Sequence, residues 1–494
     1  MKVITNLAKE NFKYIVSTFA TLILSIILYS NSINHPLKFI ALIFLIASFI
    51  MLFLPKKIEI ALIFVILIFG SISAFISPLN DIPDEYVHYS RSVYVSEGDI
   101  NLSNDDKKLK VSKDVKKIID NAGSTFHNSK LLSTKHTKAE YVNANIKGTN
   151  AYYSFSYLPQ AIGVLLGNTL RLPILVTYYL GRLLNLLVYA FFIFIALKLA
   201  GAFKQIIAVI ALLPMNVYLA GSYNQDGFAV GLVLITVSLF INLVTSNDKS
   251  KNNIKLLIYL MLCALLVLSK FTYFLLVFLP FFIPNEKFGK TNGLIWANKV
   301  LGILIIIFFA AIWFKLYGQI KTPYVADFLK EVNVGQQISN LIDKPFTYGR
   351  VVVRGMVINL VNMTNIFQFG ALSYGITNIF PLYLLFLFMI YISNASKVVL
   401  KIQEKLGIFI VISGIIGATV LAMYLTWTPV GSLVVLGVQS RYLIGILPLI
   451  MLLFSSQKPK MKAIQGLISD KLAIHVSMLF IILMLMSTIF KYYN

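Results

Sequence analysis

Apolar runs of about 17 to 25 residues recur from one end of this chain to the other, each long enough to carry an α-helix across a bilayer. No run alternates polar and apolar residues with a period of two. The runs therefore read as helices, which satisfy their own backbone groups in hydrocarbon, and not as barrel strands. Composition agrees, with 58% hydrophobic and 13% charged residues among 494, the balance of a polytopic membrane protein rather than of a soluble domain with an anchor. The expected fold is all-α, with about 13 transmembrane helices. Two helices fill residues 1–57 and a membrane core fills 58–455. An inner basic loop and a last helix occupy 456–494.

Charge orients the bundle. The formal net charge is +23, yet residues 78–150 hold ten of the acids and eleven of the bases, so nearly all the excess lies elsewhere, mostly in short loops. Short basic loops stay on the cytoplasmic side. With Lys56 and Lys57 cytoplasmic, the N-terminus is inside and the C-terminus outside, and the long loops 78–150 and 317–375 are both outside. The basic excess suits contact with anionic lipid headgroups. Nucleic acid is not an expected partner, because there is no soluble basic domain to bind it. The first run, Phe12 to Tyr29, imitates a signal peptide, but no small-residue cleavage site follows it, and it reads as a retained helix. Cys263 stands alone, which excludes an intrachain disulfide and a cysteine-based metal site.

Two stretches read as surface helices. Val111, Val115, Ile118 and Ile119 form a stripe opposite Lys113, Lys116 and Lys117, suited to an amphipathic helix on the outer membrane surface. Ala151 to Leu170 is too short and too aromatic to span, and reads as interfacial or re-entrant.

The densest chemistry is Pro83-Asp84-Glu85-Tyr86-Val87-His88-Tyr89-Ser90-Arg91. A helix starting near Asp81, with proline in its first turn, puts Asp84, His88 and Arg91 on one face and Glu85 and Ser92 on the next. An acid, an imidazole and a cation together at a membrane surface suit catalysis, and they equally suit a solvated, salt-bridged helix start. Ionisable residues inside apolar runs are costly and point to function. Arg182 lies mid-run on a stripe with Tyr178, Asn185 and Tyr189. Asp226 sits in a small turn with Asn224 and Gln225. Lys270 lies where runs 254–269 and 271–284 meet, and Arg441 follows Gln439 and Ser440. Counting spans puts Asp226, Lys270 and Arg441 on the same side as Asp84, together with Arg350 and Arg354. Singly, each suits a snorkelling cation or a capped turn; together, the cations suit a phosphate. Asp84, Glu85 and His88 could ligate a divalent metal, although no HExxH occurs and His35, His127, His136 and His475 are scattered. No glycine-rich phosphate loop or nucleophile elbow is present, so nucleotide hydrolysis is not an expected energy source.

Read in order, several segments resemble the landmarks of a family of bacterial multi-pass membrane proteins of unknown function grouped with the GT-C glycosyltransferases. They are Pro83-Asp84-Glu85 with His88 and Arg91; Tyr157-Leu158-Pro159; Gly181-Arg182-Leu183-Leu184-Asn185; Leu213-Pro214-Met215 running to Ser222 and Asp226; and Gly437-Val438-Gln439-Ser440-Arg441-Tyr442 with Pro448. The likeness covers residues 60–455; Ser440 replaces an expected glycine, and the two helices before residue 58 are additional. The resemblance implies a GT-C-like bundle in the bacterial plasma membrane. It would move a sugar from a polyprenyl-phosphate-linked donor to a cell-envelope glycan or lipid acceptor on the outer face. It makes Asp84 the base or metal ligand, with Glu85 beside it. His88, Arg91, Arg182, Asp226, Lys270, Gln439 and Arg441 would bind substrate. The acceptor hydroxyl would attack the anomeric carbon as phosphate leaves, Asp84 taking its proton and Arg or Lys stabilising the phosphate. A flippase or transporter of lipid-linked glycans, or a glycan polymerase or ligase, is the competing expectation. The first would favour charges along a mid-depth path and repeat symmetry, and here only Arg182 is deep.

Overall fold

Helices make up most of the computed structural model. It describes the chain except residues 1, 31–34, 128, 138–139, 247, 289–291, 323–326, 395–397, 456–465 and 494, and except the side chains of 2–6, 8, 129, 292 and 328. The first helices are α1 (Lys2–Tyr29), α2 (Leu37–Phe53), α3 (Ile58–Ile76), α4 (Glu85–Ser96), α5 (Asp114–Ile119) and α6 (Ser129–Ser133). Next come α7 (Leu158–Thr169), α8 (Ile174–Leu199), α9 (Lys204–Ala211), α10 (Pro214–Ala220), α11 (Asp226–Thr245) and α12 (Lys249–Ser269). After a 3-10 helix at Phe271–Phe282 come α13 (Asn292–Gly318), α14 (Val334–Asp343), α15 (Pro345–Val361), α16 (Phe380–Asn394) and α17 (Ile402–Thr426). A 3-10 turn at Ser440–Ile446 leads into α18 (Leu447–Leu453), and α19 (Asp470–Tyr492) ends the bundle. Two small antiparallel pairs decorate it, β1 (Lys110–Ser112) with β2 (Tyr141–Asn143) and β3 (Gln368–Phe369) with β4 (Tyr374–Gly375).

Among the described residues nine helices are long and apolar enough to cross a membrane, ten if α9 and α10 form one bent span. The expected count of about thirteen is not reached on length. The stretches Leu37–Phe53, Phe271–Phe282 and Ser440–Leu453 are shorter apolar helices. Twelve residues of 3-10 helix cover ~24 Å, short of the ~30 Å hydrocarbon core. The runs expected at 254–269 and 271–284 are accordingly one full helix, α12, followed by this 3-10 segment. The basic loop with Lys458, Lys460 and Lys462 lies outside the described residues.

The bend of 73° between α9 and α10 has a local cause. Pro214 lacks an N–H and cannot bond the carbonyl four residues back. That carbonyl, on Ile210, accepts from Asn216 Nδ2 at 2.8 Å, and Ala211 O accepts from Tyr189 Oη at 2.8 Å. The break therefore leaves both carbonyls satisfied inside the core. Small residues set a close helix contact. A Cβ on Gly163 of α7 would lie 2.6 Å from Gly181 Cα of α8, so the two backbones touch there as small-residue crossings allow.

Tertiary contacts sort the loops into two ends. At one end Asn104 bonds Gln319 O, Asn150 bonds Ile320 O, Gln337 bonds Thr428 O and Tyr492 bonds Asp81. At the other, Lys204 pairs with Glu59, Asn394 with Gln205 and Lys405 with Ser455 O. The first end carries residues 77–157 and is called the loop end below. The stripe expected to lie on a membrane surface packs within the protein instead. Val111 is in β1, and Val111, Val115 and Ile118 are buried in a small second core with Leu79, Tyr178 and Tyr179. Burying these side chains against α8 removes the same apolar area from water that a lipid surface would.

Candidate functional site

The acidic motif divides into two environments at the start of α4. Its helix begins at Glu85, later than the expected start near Asp81, and Asp84 is the N-cap with φ 60° and ψ 16°. That left-handed conformation is uncommon outside glycine and is tolerated best by Asp and Asn. Asp84 is exposed and its side chain caps nothing. Glu85, one residue on, is fully buried. Its Oε1 accepts from Arg182 Nε at 3.0 Å and from the Tyr223 N–H at 3.0 Å, and its Oε2 from Arg182 Nη2 at 2.8 Å. Arg182 also donates to Ala74 O, Ser77 O and Pro78 O at 2.7–2.8 Å. One guanidinium thus caps the C-terminal end of α3 while pairing with a carboxylate in the first turn of α4, both placements that helix dipoles favour. All five of its N–H groups are engaged inside the protein, which leaves none free for a substrate.

Asp226, Lys270 and Arg441 meet directly. Asp226 opens α11 and Lys270 closes the neighbouring α12, so an acid sits at a helix N-terminus and a cation at a C-terminus. Lys270 Nζ lies 2.5 Å from Asp226 Oδ1, which also accepts from Gln225 Nε2 at 3.0 Å. Arg441 Nε is 3.4 Å from Oδ2, and both cations lie over the Tyr442 ring, at 4.5 Å and 5.5 Å. The turn beneath is braced by Gln160, whose amide donates to Asn224 O at 2.5 Å and accepts from Ser92 of α4 at 2.9 Å. Two cations against one acid leave a net positive centre. Gln439 and Arg441 line a crevice of about 10 Å³ with Ile82, Pro83, Tyr218 and Gln368. Buried Gln439 Oε1 has no hydrogen-bond partner among the described residues, and Arg441 Nε has only its ion pair with Asp226. Pro83 brings Asp84 next to this crevice in the chain.

His88 extends the centre. Its Nδ1 is 2.9 Å from Tyr157 Oη, and the rings stack. Burial lowers its imidazole from 6.5 to about 4; Asp226 opposes this, while Arg441 and Lys270 reinforce it. It is a neutral hydrogen-bonding group at neutral pH. Arg91, one turn further, is 2% exposed. It donates through Nη2 to Ile100 O at 2.7 Å and Ser154 Oγ at 2.8 Å, and Nε and Nη1 are unpartnered among the described residues. Burial lowers its pKa and the nearby Tyr157, Tyr94 and Tyr153 rings raise it.

Asp84, Glu85 and His88 do not converge as metal ligands, because Glu85 is turned onto Arg182 and His88 onto Tyr157. Among the described residues no group of three or more His, Cys, Asp or Glu side chains could hold a metal ion. Arg350 and Arg354 are exposed on α15 and do not join the cluster. Spacing alone missed Gln160, Tyr157, Tyr442 and Asp81. The first three lie within segments singled out above but had no assigned role there, whereas Asp81 carried no local signal beyond its charge.

A bundle of apolar helices with a buried charged centre at one end defines a polytopic α-helical membrane protein. Residues 67–452 match the model of the family described as predicted membrane protein (DUF2142), and the chain belongs to that family. No curated protein and no solved structure shows significant similarity to it.

Proposed function

We propose that the protein is an integral membrane glycosyltransferase. It would take a sugar from a polyprenyl-phosphate-linked donor at the outer face of a bacterial plasma membrane and pass it to a glycan or lipid acceptor. The observation that carries this reading is the net-positive cluster of Asp226, Lys270 and Arg441, with Gln439 Oε1 unpartnered among the described residues, in a crevice that begins beside exposed Asp84. A leaving phosphate needs cations held in place before it departs, and Asp226 fixes both. An attacking hydroxyl needs a base without internal partners, which suits Asp84 better than Glu85. Glu85 and Arg182 then act as positioning residues, holding the first turn of α4, while His88 and Tyr157 contribute neutral hydrogen-bonding groups. As the acceptor oxygen bonds to the anomeric carbon, the carbon–phosphate oxygen bond breaks, the hydroxyl proton passes to Asp84 and the electron pair leaves on the phosphate.

The test uses purified full-length protein in vesicles with polyprenyl-phosphate sugar, following release of carrier phosphate. Asp84→Asn is expected to slow release by about 100-fold or more, the scale of general base catalysis. Release at the wild-type rate from Asp84→Asn would rule out the base. Passage of intact lipid-linked sugar across the vesicle wall, without cleavage, would replace the transferase by a flippase.

A further inference from the structure

Asp81 is 6% exposed, and among the described residues no basic side chain lies within ion-pair distance of it. Three phenols hold it instead. Its Oδ2 accepts from Tyr218 Oη at 2.6 Å and Tyr374 Oη at 2.7 Å, and its Oδ1 from Tyr492 Oη at 2.8 Å. The donors belong to α10, β4 and the last residue of α19, and lie 137, 293 and 411 residues from Asp81. Tyr218 Oη also accepts from the Gly370 N–H at 3.0 Å, at the start of the β3–β4 turn. A Cβ on Gly370 would meet the Tyr374 ring at 2.1 Å and Asp81 Oδ1 at 3.0 Å, so the turn sits tightly on this carboxylate.

The clasp adjoins the crevice, which Tyr218 lines. Ile82 and Pro83, which follow Asp81, line it together with Gln368 and Leu372 of the hairpin and Arg441. The tip is strained, since Gly370, Ala371 and Leu372 all have positive φ, at 55°, 54° and 65°, and Ala and Leu rarely adopt it. In this arrangement the crevice, about 10 Å³, has room for one water.

We propose that Asp81 and its three tyrosines form a clasp that positions the β3–β4 hairpin against the Pro83–Asp84 segment, making Asp81 a positioning residue for the reaction at Arg441 and Asp84. This rests on the transferase reading for its chemistry, but not for its geometry. Displacing the hairpin breaks the Tyr374–Asp81, Tyr374–Thr488 and Gly370–Tyr218 bonds, while Tyr492 still holds the carboxylate and the Glu85–Arg182 pair still holds α4.

The experiment is pulsed electron paramagnetic resonance on the full chain in lipid nanodiscs. Spin labels are placed at Ala371→Cys on the tip and at exposed Lys116→Cys on α5, with Cys263→Ala as background. With the clasp intact, one narrow distance distribution is expected. Tyr374→Phe, which removes one hydroxyl and keeps the ring, should raise the displaced-to-closed ratio roughly five-fold, the scale of one hydrogen bond. Asp81→Asn should raise it further. Distributions unchanged in both variants overturn the clasp. In the phosphate-release assay, Tyr374→Phe should lower kcat about five-fold without raising KM; a rise in KM at constant kcat also overturns it. Because the distance measurement needs no turnover, hairpin release in a protein without transfer refutes only the transferase, and Asp84-dependent transfer with a fixed hairpin refutes only the clasp.

Discussion

Glu85 and Arg182, 97 residues apart in sequence, form a two-point ion pair in which neither side chain is exposed to solvent. It joins the end of α3, the start of α4 and the first half of α8. Cutting one partner strands a buried charge, which costs about 3–5 kcal/mol. Arg182→Met or Glu85→Gln should therefore lower the thermal midpoint strongly. The double variant Glu85→Gln with Arg182→Met should lose less than the sum of the two, because the charges are removed together. Thermal unfolding in detergent, followed by fluorescence, measures all three. Additive losses would mean that the pair is not coupled.

Asp84 invites the opposite result. Its carboxylate is exposed and its backbone is left-handed. Asp84→Gly removes the steric cost of positive φ, and the gain, up to about 1 kcal/mol, is partly offset by the greater entropy of an unfolded glycine. Stability should stay constant or rise slightly while sugar transfer collapses. A clear drop in the melting midpoint would show that the Asp84 side chain carries structure instead.

Lys270 should matter more to chemistry than to folding. In Lys270→Met, Asp226 keeps the more distant Arg441 and its hydrogen bond from Gln225, but the cluster loses its net positive charge. Phosphate release should fall about 100-fold, comparable to removing one preorganised oxyanion donor. Lys270→Arg should recover part of it. Full activity in the methionine variant would remove Lys270 from any phosphate role.

His88 sets a pH dependence. Its folded pKa is depressed to about 4 from 6.5, so below 6.5 the unfolded chain binds a proton that the folded protein refuses. Stability from neutral His88 is complete above pH 6.5 and is lost as the pH falls toward 4, with a slope of up to one proton. In His88→Gln the slope over that window should flatten. Chemical denaturation at stepped pH compares them.

The contact between α7 and α8 has no slack. Gly163→Ala places a methyl group 2.6–2.7 Å from Gly181 backbone atoms and Leu180 O, and overpacking of this kind costs about 1–3 kcal/mol. Gly148→Ala, with nothing within 4 Å, is the control and should change stability by less than about 0.5 kcal/mol.

Class and polar outliers were legible from residues alone. Hydrocarbon satisfies no backbone groups, so long apolar runs had to be helices, and ionisable residues interrupting them stood out by cost. Span counting placed Asp226, Lys270 and Arg441 on one side; in the fold they touch. Pattern misled in three places. The helical face of Asp84, His88 and Arg91 assumed helix from Asp81, whereas Asp84 is a left-handed cap outside it. The stripe from Val111 to Ile119 showed where an apolar face lies, but not that Tyr178 and Tyr179 would cover it. Run length did not separate full spans from shorter helices, because a 3-10 segment and two short helices are apolar as well.

What the sequence alone determined is what depends on local chemistry: helices in lipid, and charges where lipid penalises them. Which of two adjacent acids is locked in an ion pair and which stays exposed was decided only by tertiary structure. So was the enclosure of Asp81 by three tyrosines from distant segments. These outcomes depend on contacts between residues 97 to 411 positions apart, and no periodicity within a single helix encodes them.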